Sequence, residues 1–299
     1  MKEYIKQFCW EFDYPKEAEQ ALLDAYDSIM ANKKSAELFN GYVKQYEENI
    51  LDKIGDAMDE LNKEAESIGV HTFTMMFVFL MCLSKHLRKI YMDKNISYDI
   101  YFDSMYDFRC KLFECYNMYG IWGTFVGFWY PGFFNLKLFG LGRLEFELCE
   151  SQISYESEGV NIKPGDLVIG VHIPSRGPLN MEDCKNSFKR AAEFFADKFI
   201  GNKIVFTCGS WLLFPEHKEF LPKTSNILKF MELFDIINGG PSNDNADAWR
   251  IFNKGFDGNT TEGLPTNTSL QRAYIDWFNK GNTMGYGTGV RVEPNPKNS

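Results

Sequence analysis

Several familiar signatures are missing from this sequence. No two of its seven cysteines stand in a C-x-x-C pair, and no H-E-x-x-H or H-x-x-x-H spacing joins its four histidines. That leaves no recognisable zinc or redox motif. There is no G-x-x-x-x-G-K-[ST] loop, no G-x-G-x-x-G fingerprint and no G-x-S-x-G elbow, so a nucleotide-triphosphate site, a dinucleotide site and a serine hydrolase are all without their usual marks. Positive charge is scarce, with 32 Lys and Arg against 41 Asp and Glu and a net charge of −9. This balance argues against non-specific nucleic-acid binding and against attraction to anionic membranes. Long apolar runs are absent too. Residues 73–83 are almost wholly apolar but number only eleven, and a membrane span needs about 20. Residues 115–136 carry no charge, but four glycines, Pro131 and two asparagines interrupt them. The amino terminus lacks the apolar stretch of a signal peptide. With free thiols, this points to a cytoplasmic protein without a membrane span.

What the sequence does contain is 299 residues, 44% apolar and 16% aromatic, enough for two domains with sizeable cores. Residues 1–118 read as helix throughout, with apolar positions at three- and four-residue spacing and Ser35 and Ser97 as caps. A helical N-terminal domain is expected there. The Gly- and aromatic-rich stretch that follows is too apolar for a linker. The second domain is placed at 119–293, with 294–299 as a disordered tail.

Strand signals begin at Arg143, where Leu144, Phe146 and Leu148 alternate with Arg143, Glu145 and Glu147. Residues 152–158 suggest another strand, and 166–173 form a nearly continuous apolar run suited to a central strand. The loop Pro174-Ser175-Arg176-Gly177-Pro178-Leu179 follows. Asn180 can cap an amphipathic helix carrying Met181, Cys184, Phe188, Ala191 and Phe195. Residues 203–208 return as a strand, giving a right-handed βαβ unit with parallel strands. Further helices are expected from Ser225, Asn245 and the T-x-x-Q capping box of Thr268 and Gln271, with a last strand at 286–292. The expected fold class is α/β (α+β): an all-helical domain followed by a mixed-sheet domain.

Candidate chemistry gathers at the end of the central strand. Backbone N–H groups of the loop and helix start can hold an anion, with Gly177 permitting close approach and Arg176 adding charge. His172 ends the strand beside Gly170 and is a candidate general base, and Glu145 or Glu147 is another if its face is covered. Cys208 ends the returning strand, where a Cys–His pair with His172 is conceivable if the strands adjoin. An ordinary capped loop, a structural histidine and a core cysteine are the plainer readings of these features.

The runs GDLVIGVHIPSRGPLNMEDCKNSFKRAAEFF, FTCGSWLLFPEHKEFLPKTSNILKF and LPTNTSLQRA resemble a family of bacterial GNAT-like acyltransferases. Its members pair a helical N-terminal domain with a GNAT-like C-terminal domain. The resemblance implies transfer of an acyl group from acyl-coenzyme A, as co-substrate, to an amine or similar small-molecule acceptor. No metal is implied. It also implies that backbone amides of Val171, His172 and Ile173 polarise the thioester carbonyl. Ser175, Arg176, Gly177, Leu179 and Asn180 would hold the pyrophosphate, Cys208 would flank the pantetheine arm, and His172 or Glu145 would be the base. Leu179 and Met181 stand where the family's loop carries Gly and Gly or Ala. No tyrosine lies between Ser210 and Phe220 to act as the usual acid. A non-catalytic GNAT-like module that binds a ligand or a protein is therefore the alternative.

Overall fold

The computed structural model describes residues 1–157 and 159–298. The chain divides into two compact units, 1–140 and 141–299.

The first unit is helical: α1 Lys2–Glu11, α2 Lys16–Ala31, α3 Lys33–Glu47, α4 Ile54–Ala65, α5 Thr72–Asp93, α6 Tyr98–Tyr119 and the short α7 Pro131–Phe134. Strand β1, Leu138–Gly140, closes it. The apolar run at 73–83 explains itself here. Helix α5 touches α1, α2, α3, α4 and α6, and Phe77 to Ser84 are buried without interruption. A helix surrounded by other helices has no polar face to present. No helix of the described residues is long and apolar enough to cross a membrane.

Residues 119–140 belong to this unit and do not open the second domain, which corrects the boundary expected at 118/119. Thr124 N–H donates to the Phe73 carbonyl at 3.0 Å, and Thr74 Oγ1 donates to the Trp122 carbonyl at 2.9 Å. A Cβ on Gly123 would fall 2.5 Å from the Phe73 carbonyl carbon. The glycine lets this backbone lie directly on α5, so the charge-free segment is core of the helical unit.

The second unit contains β2 Glu145–Glu150, β3 Tyr155–Ser157, β4 Val160–Ile162, β5 Leu167–His172, α8 Met181–Phe195, β6 Lys203–Ser210, α9 His217–Phe220, α10 Asn226–Met231, β7 Asp235–Pro241, α11 Trp249–Phe252, α12 Ser269–Asn279 and β8 Gly285–Pro294. Its sheet runs β2-β5-β6-β8-β7, and β3 and β4 form a separate hairpin. Of the strand expected at 152–158, Tyr155–Ser157 forms β3, residues 152–154 are not strand, and Glu158 lies outside the described residues. Only β5 and β6 are parallel, joined through α8 as a βαβ unit. The Thr268–Gln271 capping box is present with both of its hydrogen bonds.

The two faces of the sheet separate cleanly. Phe146, Phe206 and Phe188 of α8 meet as edge-on rings on one face. On the other, Val168, Val205 and Val290 pack with Val160 of the hairpin. This double cover is why β5 reads as a continuous apolar run.

Of the tail expected to be disordered, residues 294–298 are anchored, and Ser299 lies outside the described residues. Asn295 is 0% exposed, and its Nδ2 donates to the carbonyls of Phe199 and Gly201, both at 3.0 Å, and of Ala196 at 3.3 Å. A polar residue near a chain end looks dispensable in sequence, yet here it satisfies the turn between α8 and β6. Asn295→Ala removes this buried donor, leaving the Phe199 and Gly201 carbonyls only Asn298 Nδ2, at 3.4 and 3.1 Å, and should cost about 1–3 kcal/mol, read as a lower urea midpoint.

A second buried polar residue sits after β6. His217 is 0% exposed and shares a 2.5 Å hydrogen bond with the Tyr274 hydroxyl. The rings of Trp211, Phe214 and Phe220 surround it. Burial depresses its pKa to about 4. Between pH 6.5 and 4 the unfolded chain therefore takes up a proton that the folded chain refuses. This contribution to stability is complete above pH 6.5 and is lost as pH falls toward 4, to the extent of about 3 kcal/mol. A His217→Gln variant should lack that part of the pH dependence in urea melts between those limits.

Candidate functional site

The site begins with an inequality in how β5 is paired. Along one edge β5 follows β2 to its end, with Glu145 opposite His172 and Glu147 opposite Gly170. Along the other it meets β6 only at Ile169–Phe206 and Gly170–Thr207. Strand β6 stays paired with β8 as far as Ser210–Gly287. Beyond Gly170 and Thr207 the two parallel strands part, and the sheet opens there. The β5–β6 ladder does not extend to Val171 and His172.

Strand alternation sorts the side chains around this opening. Ile169, Val171, Phe206 and Cys208 lie on the α8 face. Gly170, His172, Thr207 and Gly209 lie on the other. Cys208 is thus on the opposite face from His172, is 1% exposed, and has its thiol pKa pushed up to about 12 by burial. The conceivable Cys–His pair is ruled out by this geometry. A buried thiol of that kind also offers no surface to a pantetheine arm.

His172 Nε2 lies 2.9 Å from Oε1 of Glu147, and both side chains are about one-third exposed. A Cβ on Gly170 would come within 3.2 Å of Glu147 Cγ, so the glycine makes room for that carboxylate beside the ring. With Glu147 ionised, the carboxylate can only accept, so Nε2 donates and Nδ1 holds the lone pair. Glu145 is 3% exposed directly opposite His172. The structure thus favours Glu147, not Glu145, as the carboxylate that reaches the imidazole. Sequence alternation placed both on one face but could not rank them.

On the far side of the opening stands a residue that sequence reasoning missed. Tyr286 of β8 is 47% exposed, and a Cβ on Gly209 would lie 1.7 Å from its hydroxyl oxygen. Its phenol occupies the space that a side chain at 209 would fill. Gly209 stands two residues past Thr207, as His172 stands two past Gly170. Imidazole and phenol therefore flank the opening at one level on one face. Partial burial raises the Tyr286 pKa, which keeps its proton in place. The run Gly209-Ser210-Trp211 at the end of the returning strand gave no sign of this arrangement.

The loop after β5 is arranged differently from expectation. Asn180 Oδ1 caps α8, accepting from Glu182 N–H at 2.9 Å and Asp183 N–H at 3.4 Å. Those helix-end donors are committed, and two carboxylates occupy the first turn. Gly177 has φ +77° with open space around it, a backbone conformation that favours glycine. Arg176 Nη1 donates to the Gly142 carbonyl at 2.8 Å. Ser175 is exposed, and Ile173 and Leu179 are partly buried.

Residues 3–136 match the N-acyltransferase N-terminal domain, and residues 138–291 match the GNAT-like C-terminal domain. The chain belongs to the GNAT-like N-acyltransferase family. No curated protein matches it. Among solved structures it resembles an acyltransferase in complex with decanoyl-CoA and teicoplanin, at 18% identity and TM-score 0.73, over 96% of this chain and 87% of that one. It also resembles an acyltransferase mutant in complex with octanoyl-CoA, at 18% identity and TM-score 0.75, over 97% and 87%. A third is an acyltransferase in complex with CoA and 10C-teicoplanin, at 17% identity and TM-score 0.74, over 96% and 86%. The helical N-terminal half and mixed-sheet C-terminal half of the family are the fold described above.

The contact between Gly209 and Tyr286 can be tested. Gly209→Ala should lower stability in the wild-type background and less so in Tyr286→Ala. The two changes should depart from additivity by at least about 0.5 kcal/mol in denaturant melts.

Proposed function

We propose that this protein is an acyl-CoA-dependent N-acyltransferase that passes an acyl chain to the amine of a small-molecule acceptor. The observation carrying this reading is the opening between β5 and β6, with the His172–Glu147 pair on one side and Tyr286 on the other. Family membership supports it. So do the similar acyltransferase structures, whose ligands are CoA, octanoyl-CoA and decanoyl-CoA. The thioester would lie in the opening, its carbonyl oxygen facing the N–H groups of Val171, His172 and Ile173. Such preorganised donors stabilise the negative charge of a tetrahedral intermediate. The amine nitrogen attacks the carbonyl carbon and yields its proton to Nδ1 of His172. Glu147 keeps the ring oriented and balances the imidazolium charge, the role a carboxylate plays behind a histidine base. The C–S bond then breaks and the sulfur departs as thiolate, which takes a proton from the Tyr286 hydroxyl. Solvent returns the His172 proton to the phenolate.

Donors of about the length seen with the similar structures, octanoyl and decanoyl, are the first to try. The seven free cysteines fit a reducing cytoplasm. The rival reading, a GNAT-like module that binds without catalysis, predicts thermal stabilisation by CoA with no turnover.

The test is release of free CoA from decanoyl-CoA in the presence of amine acceptors. His172→Ala should lower kcat by about 10²–10⁴ with little change in KM. Glu147→Ala should lower kcat as well, while Glu145→Gln should leave the chemistry of the ring intact. Equal activity in His172→Ala would remove the imidazole from the reaction.

A further inference from the structure

We infer that Arg143 is a positioning residue for donor recognition: it holds the loop between β5 and α8 with carbonyls turned inward and amides turned outward, and so sets the preference for donors that carry phosphates. This rests on the acyl-CoA reading above. Arg143 stands just ahead of β2 and is 8% exposed. Its Nη1 donates to the Pro174 carbonyl and its Nη2 to the Gly177 carbonyl, both at 2.9 Å. Its Nε reaches the Pro178 carbonyl at 3.5 Å. Its own N–H donates to Ser187 Oγ of α8 at 2.8 Å. One buried cation thus gathers three carbonyls of the Pro174–Leu179 loop and ties them to the following helix.

The amides of the same loop have the opposite fate. Pro174 and Pro178 carry no N–H. Among the described residues, the N–H groups of Ser175, Gly177 and Leu179 meet no protein acceptor. Arg176 braces the loop from the other direction through the Gly142 carbonyl. With the carbonyls of Pro174, Gly177 and Pro178 drawn toward Arg143, the amides of Ser175, Gly177 and Leu179 are left as a set of donors, the arrangement that suits phosphate oxygens. The end of α8 cannot substitute, because Asn180 already caps its donors and Glu182 and Asp183 repel an anion there. A lysine could not replace Arg143, since only the planar fork addresses several carbonyls at fixed angles.

The experiment compares decanoyl-CoA with decanoyl-pantetheine, which lacks the phosphates, in wild type and Arg143→Lys. The expected result is a KM for decanoyl-CoA raised tenfold or more in the variant, with kcat and the KM for decanoyl-pantetheine within about twofold of wild type. Equal loss with both donors, or no loss with either, overturns the inference. A second readout uses the wild-type protein alone and does not depend on the variant folding. 3′-Phosphoadenosine 5′-diphosphate, the nucleotide part of CoA, and CoA itself should slow hydrogen exchange at the Ser175, Gly177 and Leu179 amides. Unchanged exchange at saturating CoA overturns the inference as well. Should wild type turn over neither donor and bind no CoA, the acyl-CoA reading fails and this inference falls with it. Turnover with an unaltered donor preference in Arg143→Lys removes Arg143 alone.

Discussion

The second unit depends on one unequal pairing. Strand β5 is zipped to β2 along its whole length but joined to β6 through only two residue pairs. Parallel strands tied by a helical crossover are expected to stay together. Here the ladder holds only at Ile169–Phe206 and Gly170–Thr207. On the face covered by the β3–β4 hairpin, Val168 and Val205 pack with Val160. Farther along that face the valines give way to His172 on β5 and Gly209 on β6, while Val171 and Cys208 stay buried on the α8 face. The change of side chains on the one face populates the opening with groups that can move protons.

Two glycines make that opening habitable. Gly170 admits the Glu147 carboxylate next to the imidazole, and Gly209 admits the Tyr286 phenol from a strand far along the chain. In each case the missing side chain belongs to the strand at the opening and the group that enters comes from a neighbouring strand. The resulting arrangement has an imidazole and a phenol on opposite sides of the opening. Both are partly exposed, as groups that must meet a substrate have to be.

Much of this was legible in the sequence, and the reasons it stopped are physical. Local periodicity located the helices of the first unit, the central strand, α8 and the returning strand, because burial on one face imposes a spacing on the residues that face it. His172 was marked by its place at a strand end. What could not be read was anything decided by register. The alternation along β2 placed Glu145 and Glu147 on a common face, but which of them reaches His172 depends on how β2 pairs with β5. Tyr286 is separated from Gly209 by about half of the unit's length in sequence. Arg143 looked like one polar residue in an alternating strand, and its three carbonyl partners lie more than thirty residues away. The aromatic stretch at 119–140 and the anchored Asn295 were misjudged for a related reason: composition does not reveal which neighbouring backbone supplies a partner.

The cysteines carry a consequence for a protein that handles activated acyl groups. A thioester exchanges readily with any accessible thiolate, so an enzyme holding such a donor at high local concentration risks being labelled by it. Burial raises the thiols of Cys9, Cys82, Cys115 and Cys208 to about 12 and that of Cys184 to about 11, and raises Cys149 as well. At neutral pH these sulfurs remain protonated and hardly nucleophilic. Cys149 is the one of special interest, since it is partly exposed on the same face as His172 and within 3.2 Å of where a Gly170 side chain would begin. Its suppressed ionisation keeps the acyl group available to an incoming amine and away from the chain itself.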